Sequence, residues 1–232
     1  MGSSDQEREG EEWQRHVILV IAVDPSGTSW FAHDLEGAEI AREIRMTNGR
    51  DFFELRRGRG AGVDEMMRDL NEHQPTIIHF RGHSGISVRN AEHPPALLHS
   101  AVDLADAAIH LVGGRQQSQH VLAPALTAMI ASAAPTVRVV VLNACYSETV
   151  AEALCRKVDC VVGMRSAIGD DAARSFAICF YRALGYRRSV GNAVEQADAA
   201  LAAQGLDRPI CCTRTGITAD QIVLTGRDRR ST

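Results

Sequence analysis

Residues Val17–Val23 form an unbroken apolar run, VILVIAV, that is rich in β-branched side chains. A strand with one wet face alternates apolar and polar residues, so this run indicates a strand covered on both faces, as in a parallel sheet. The pattern returns at Thr76–Phe80, Val137–Leu142 and Cys160–Val162, while Asp51–Leu55 is a weaker strand candidate. A sheet of such strands needs helices on both of its faces.

Helical periodicity separates these strands. Four segments repeat their apolar residues with a period of three to four: Leu35–Met46, Val63–Leu70, Ala173–Leu184 and Val190–Leu201. A further helix is expected from Pro124 onward, since proline suits the first turn. Asp170 and Ser189 are the predicted N-caps of the last two helices. Strands alternating with helices predict an α/β fold with a mostly parallel central sheet.

Length and composition set the protein class. The 232 residues fit one compact domain, which we expect over residues 16–226 between a disordered tail at 1–15 and a C-terminal tail at 227–232. A net charge of -4 argues against direct binding to nucleic acid or an anionic membrane. The chain lacks the roughly 18–20 consecutive apolar residues of a membrane span, and its N-terminus lacks the apolar stretch of a signal peptide, so we expect a cytoplasmic protein.

The six cysteines show no C-x-x-C spacing, so neither a zinc site nor any other metal or cofactor is predicted. Cys155, Cys160 and Cys179 are expected in the core, as is His79 within the sheet. Phosphate-binding motifs are also incomplete. The glycine-rich segment Gly58–Gly62 lacks the G-x-G-x-x-G pattern, and the loop after the first strand lacks the lysine of a P-loop.

His83 and Cys145 are the candidate catalytic residues. Each follows a predicted buried strand, and the carboxyl ends of parallel strands meet at one edge of a sheet. A thiol and an imidazole at that edge suffice for nucleophilic catalysis, because the histidine promotes thiolate formation and then protonates the leaving amine. A lone cysteine or a lone histidine in these positions is more often structural. Their joint placement favours catalysis.

Local sequence supports both residues. Gly82 and Gly85 bracket His83, and we expect a tight turn after it. A helix is expected to start near Ser147, which would place Cys145 before a helix N-terminus, where a thiolate is favoured. The backbone N–H groups of Cys145 and Ser84 are the predicted oxyanion donors.

Four segments resemble the CHAT domain family, a prokaryotic branch of the caspase and separase superfamily of cysteine peptidases. They are ILVIAVDPSGTSW from Ile18, IIHFRGHSG from Ile77, VVLNACYS from Val140 and VVGMRSAIGDDAARSFAICFYRAL from Val161. The resemblance implies a caspase-like three-layer α/β sandwich that hydrolyses peptide bonds, with His83 as the base and Cys145 as the nucleophile. It extends from about His16 to Leu224.

The resemblance also bears on substrate binding. Members usually carry glycine directly after the catalytic histidine, where this chain has Ser84, which can still offer its backbone N–H. By the same resemblance the specificity pocket is lined by Asp24, Asn143 and Asp170. Two carboxylates there imply a preference for arginine or lysine before the scissile bond, because charge-assisted hydrogen bonds would hold the cation.

Three function classes follow from these observations. The leading hypothesis is a cysteine endopeptidase of a bacterial defence or regulated cell-death system, acting on a protein substrate and controlled by a sensor domain or partner protein. The second is an inactive caspase-like interaction module, and the third a nucleotide-sensing domain, which the missing phosphate loop disfavours. Control is expected to involve the insertion between Ile86 and Ser118 and the loop after Gly163.

Overall fold

The computed structural model describes residues 15–23, 30–59, 62–86, 107–112 and 118–225, with the backbone alone described at 30–34, 83, 85–86, 112 and 118. Its strands are β1 (His16–Ala22), β2 (Phe53–Arg57), β3 (Ile77–Ile86), β4 (Ala107–Val112), β5 (Ser118–Leu122), β6 (Val139–Cys145), β7 (Cys160–Gly163) and β8 (Ile210–Thr213). Its α-helices are α1 (Trp30–Arg45), α2 (Val63–His73), α3 (Ala123–Ala133), α4 (Glu148–Leu154), α5 (Asp170–Gly185) and α6 (Val190–Ala202). The predicted alternation of strands and helices is confirmed.

Six strands form the central sheet in the order β2-β1-β3-β6-β7-β8. The first five run parallel, and β8 pairs antiparallel with β7 at the edge. Strands β4 and β5 form an antiparallel pair that joins the end of β3. The predicted insertion between Ile86 and Ser118 thus contains β4 and ends where β5 begins, and residues 87–106 and 113–117 lie outside the described part of the chain.

Apolar side chains cover both faces of this sheet. Along β1, Leu19 and Ile21 belong to a core shared with α2, α3 and α4, whereas Ile18 and Val20 belong to a core shared with α1, α5 and α6. All four are buried, as the unbroken apolar run predicts. The protein is therefore a three-layer sandwich of helices, sheet and helices.

Two local predictions at the sheet edge are wrong. The chain does not turn after His83. Instead β3 continues to Ile86, because Ser84, Gly85 and Ile86 find an antiparallel partner in β4. Asp170 is not the N-cap of α5, since Gly169 takes that position and Asp170 is the first helical residue.

Other placements agree with the sequence. The Ser189 hydroxyl caps α6 by accepting a hydrogen bond from the Asn192 N–H at 3.1 Å. His79 and Cys160 are buried, while Cys155 and Cys179 are partly buried against the two cores. The predicted tails lie outside the described residues, apart from residue 15. Within the described ranges, no helix combines the length and apolar character needed to cross a bilayer.

Candidate active site

Strand register brings the two candidate catalytic residues together. Strands β3 and β6 are parallel neighbours, and His83 is the register partner of Cys145 at the carboxyl end of the ladder. Neighbouring strands lie about 4.8 Å apart, so the two backbones are adjacent although 62 residues separate them in sequence. The side chain of His83 lies outside the described part of the structure, so the backbone register alone relates the two residues here.

The thiol of Cys145 is half-buried against the loop that follows β7. The Ile168 N–H donates a hydrogen bond to Sγ at 3.4 Å, and the Ile168 carbonyl oxygen lies 3.7 Å from the same sulfur. These two contacts hold the sulfur against the loop. The loop after Gly163, which sequence analysis associates with control, therefore contacts the candidate nucleophile directly.

A strained turn separates Cys145 from α4. Tyr146 has φ +52 and an exposed side chain, and its N–H donates to the Ser166 carbonyl at 3.2 Å. Non-glycine residues in the left-handed region are uncommon and concentrate at functional sites. This turn leaves Cys145 at the sheet edge and an exposed aromatic ring beside it.

Ser147 connects the same turn to the loop after β7 through hydrogen bonds. Its side chain is fully buried, its hydroxyl donates to the Leu142 carbonyl at 3.1 Å, and it accepts from the Met164 N–H at 2.8 Å. A Cβ at Gly163 would lie 3.1 to 3.2 Å from Ser147 atoms, so glycine permits this close approach. The hydroxyl forms no capping bond to α4.

Ser84 contacts β6, the strand that carries Cys145, through its side chain. Its hydroxyl donates a hydrogen bond to the carbonyl oxygen of Cys145. Among the described non-glycine residues, positive φ occurs at Gln74, Tyr146 and Arg187 and not at Ser84. The backbone here is extended, so it does not need the conformational freedom of the glycine that is usual at this position.

A buried polar cluster lies beneath the sheet edge and centres on Glu36 of α1. One oxygen, Oε1, is 2.8 Å from His79 Nε2 and accepts from Asn143 Nδ2 at 2.7 Å. The other, Oε2, is 3.0 Å from Arg81 Nη1. All four side chains are buried. They connect α1 to the two strands that carry His83 and Cys145.

This cluster determines the acidity of Glu36. Burial alone would raise the pKa of its carboxyl. The hydrogen bond and charge of His79, the charge of Arg81 and the hydrogen bond from Asn143 outweigh burial, and the pKa lies below its ordinary value. Glu36 is therefore an anion that holds Arg81 in place.

The three residues assigned to the specificity pocket occupy different environments. Asn143 is buried, and its Nδ2 donates to Glu36 and to the Ala173 carbonyl at 2.9 Å in the first turn of α5. Asp170 has a side chain that is 76% exposed, with Oδ1 at 3.1 Å from Arg81 Nη2. Asp24 lies outside the described residues.

Arg81 and Glu36 are the site residues that sequence analysis missed. Arg81 precedes His83 by two residues and lies in IIHFRGHSG, one of the four segments that resemble the CHAT domain family. That position in the sequence could have identified it as a site residue. Glu36 lies on an amphipathic helix with no motif around it, and only the fold brings it to the site. The described residues contain no cluster of three or more His, Cys, Asp or Glu side chains that could hold a metal ion.

A mostly parallel sheet between two helical layers, with histidine and cysteine paired at its carboxyl edge, defines a caspase-like α/β protein. The family model for the CHAT domain matches residues 3–210, and the chain belongs to this family.

A solved structure shows the same fold. It is a secreted C11 cysteine protease from Bacteroides thetaiotaomicron in complex with an irreversible peptide inhibitor, with a TM-score of 0.59 and 16% sequence identity. The match covers 83% of this chain and 60% of that protein, so the chain corresponds to part of its length. Comparison with curated proteins gives no significant match.

The buried cluster predicts a pH-dependent stability. Glu36→Gln should lower the free energy of unfolding at pH 7 by about 3 kcal/mol, because it leaves Arg81 without a buried anion. The lowered pKa of Glu36 means that its stabilisation is complete above about pH 4.5, the ordinary value, and is lost as the pH falls further. In urea unfolding measured from pH 7 downward, the difference between wild type and Glu36→Gln should therefore narrow once the pH falls below about 4.5.

Glu39→Gln is the matched control. Glu39 lies on the same helix and pairs with Arg174 at 3.6 Å, but its side chain is 32% exposed. Its replacement should cost less than about 1 kcal/mol at any pH in this range. Equal losses from the two substitutions, or a constant difference for Glu36→Gln across the pH range, would contradict the role given to Glu36.

Proposed function

We propose that this protein is a cysteine endopeptidase with Cys145 as the nucleophile and His83 as the general base. The observation that carries the proposal is the register pairing of His83 with Cys145 at the carboxyl end of two neighbouring strands. The hydrogen bond from the Ile168 N–H to Cys145 Sγ supports it, because it holds the thiol at the same edge of the sheet. Membership in the CHAT domain family agrees with this chemistry.

In the proposed reaction, His83 accepts the thiol proton and the Cys145 thiolate attacks the carbonyl carbon of the scissile bond. The oxyanion that forms is held by the backbone N–H groups of Cys145 and Ser84. His83 then donates its proton to the leaving amine. Water, activated by His83, hydrolyses the thioester and frees the enzyme.

We propose further that the residue before the scissile bond is basic. This preference rests on Asp170, whose side chain is 76% exposed at this end of the site and whose carboxylate shares the guanidinium of Arg81 with the buried Glu36. Asn143 Oδ1 is buried and forms no hydrogen bond to another described residue, so a guanidinium or ammonium group of the substrate would supply a donor. Arg81 weakens this preference, because Asp170 is already paired.

The biological setting of the proposal rests on the family resemblance. CHAT domains resemble parts of bacterial defence and regulated cell-death systems, in which cleavage of a protein substrate is triggered by a sensor domain or partner protein. The contacts of the loop after β7 with Cys145 and Ser147 give such a partner a route to the nucleophile. Displacement of this loop would change the surroundings of Sγ.

Substitution of the dyad tests the chemistry. Cys145→Ala and His83→Ala should each lower kcat/KM on a peptide substrate at least about a thousandfold, because each removes a group that takes part in bond cleavage. Circular dichroism should show an unchanged fold. Cys155→Ala and His73→Ala are the controls, and both should keep the wild-type rate. Wild-type cleavage by Cys145→Ala would refute the assignment, and absence of cleavage in every preparation would favour the interaction module.

Substrate preference tests the basic pocket. A fluorogenic peptide series should be cut faster with arginine than with alanine or aspartate before the scissile bond. Asp170→Asn should reduce the arginine-to-alanine ratio of kcat/KM by about 1.5- to 5-fold, the range for a solvent-exposed ion pair. Asp171→Asn is the matched control, since its side chain lies in the same helical turn, is 97% exposed and pairs with Arg174 instead. A preference for aspartate, or equal effects of the two variants, would refute the basic pocket.

The proposed control by a partner is tested by turnover of the isolated chain. We expect the purified protein to cleave its substrate slowly and to gain rate when the activating domain or protein is added. A rate that is already maximal for the purified chain, and that no partner changes, would show that the contacts at Ile168 do not restrain the nucleophile.

A further inference from the structure

Four cysteines gather at the sheet edge formed by β7 and β8. In the antiparallel register, Cys160 is the partner of Thr213 and Cys211 is the partner of Val162, which places Cys160 and Cys211 on the same face. Cys212 is the partner of Val161 and lies on the opposite face, where Cys155 is its neighbour. The edge therefore carries two thiol pairs, one on each face.

The pair formed by Cys160 and Cys211 combines a buried thiol with an accessible one. Their Sγ atoms are 3.5 Å apart and share a hydrogen bond. Cys160 has no exposed surface, whereas Cys211, on the edge strand, is exposed. An oxidant in solution can therefore reach Cys211. The Cys160 sulfur, which could react with an oxidised Cys211, lies 3.5 Å away.

The shared hydrogen bond gives the two thiols different acidities. Either sulfur can donate in this bond. Donation by the Cys160 S–H lowers the pKa of Cys211 despite partial burial. The same bond, together with burial, raises the pKa of Cys160. Cys211 is thus the more acidic and more accessible thiol of the pair, and Cys160 is the thiol that holds its proton more firmly.

The other pair is the weaker nucleophile. Burial raises the pKa of Cys155. Burial and the neighbouring Cys155 raise the pKa of Cys212 to about 12. Both thiols of this pair therefore stay protonated near neutral pH, and the edge strand presents one reactive sulfur and one inert sulfur at adjacent positions.

We propose that Cys160 and Cys211 form a redox-active dithiol that hydrogen peroxide converts to a disulfide. The site lies outside the proposed catalytic centre and does not depend on peptidase activity. A disulfide needs an S–S separation of about 2.05 Å, so the two sulfurs must close by roughly 1.5 Å. This closure requires movement of the Cys211 side chain or of the edge strand β8.

The reaction takes two balanced steps. The Cys211 thiolate attacks one peroxide oxygen, an S–O bond forms, the O–O bond breaks, and the leaving hydroxide takes up a proton to become water. The Cys160 sulfur then attacks the sulfenic sulfur of Cys211. An S–S bond forms, the S–O bond breaks, and the hydroxide leaves with the Cys160 proton as a second water. The two thiols lose two electrons and the peroxide gains them.

Peptide mapping of the full chain after peroxide treatment tests the proposal. Trypsin should release Cys160 in peptide 158–165, Cys211 and Cys212 in peptide 189–214, and Cys155 in peptide 139–156. The first cross-link to appear should join 158–165 to 189–214, and fragmentation should place it at Cys211. It should exceed the cross-link between 139–156 and 189–214 by about tenfold, since thiolate content controls the rate. Dithiothreitol should reverse it.

Single substitutions separate the two sulfurs. Cys212→Ser should leave the cross-link unchanged, while Cys211→Ser should abolish it. Cys160→Ser should also abolish it and leave Cys211 to accumulate as sulfenic and then sulfinic acid, trapped with dimedone or seen as added oxygen. If a variant does not fold, the order in which cross-links appear in the wild-type chain still tests the proposal. The proposal is overturned if peroxide joins Cys155 to Cys212 or Cys211 to Cys212 first, if wild-type Cys211 reaches sulfinic acid without the cross-link, or if no cross-link forms.

Discussion

The ladder between β3 and β6 holds the proposed active site in place, because seven consecutive register pairs run from Ile77 and Val139 to His83 and Cys145. A shift of one residue would move every side chain of one strand to the other face of the sheet. Buried apolar residues on both faces of these strands oppose such a shift, since either core would then have to accept a polar side chain. The same apolar pattern that defines the sheet therefore fixes the spacing of the proposed dyad.

Near the carboxyl end of this ladder, charged and polar contacts replace apolar packing. Arg81 and Asn143 are also register partners, two residues before His83 and Cys145, and both contact Glu36. A buried carboxylate is tolerated because it has three polar partners, and it in turn orders the arginine that contacts Asp170. The cluster joins the first helix to the fifth across the strand ends. The residues proposed to set specificity are therefore linked to the strand register.

Sequence patterns predicted the parts of the protein that depend on periodicity. The buried strands, the flanking helices and the edge on which His83 and Cys145 meet follow from apolar runs and strand-end geometry. The Arg81 to Asp170 ion pair did not follow, because it joins residues from two elements whose relative placement is set by packing. The continuation of β3 past His83 was missed because its partner, β4, lies in a segment without a clear strand pattern. Gly169, and not Asp170, is the N-cap of α5, because the helix begins at Asp170, one residue earlier than predicted.

Covalent capture of the nucleophile tests the central claim most directly. A peptidyl acyloxymethyl ketone with arginine at its reactive end should add one probe per chain, and fragmentation of peptide 139–156, which holds both Cys145 and Cys155, should place the adduct on Cys145. Labelling should be lost in Cys145→Ala and strongly slowed in His83→Ala, because the probe needs an activated thiolate. Modification of Cys155 or Cys211 in place of Cys145, or an unchanged rate in His83→Ala, would contradict the proposed dyad.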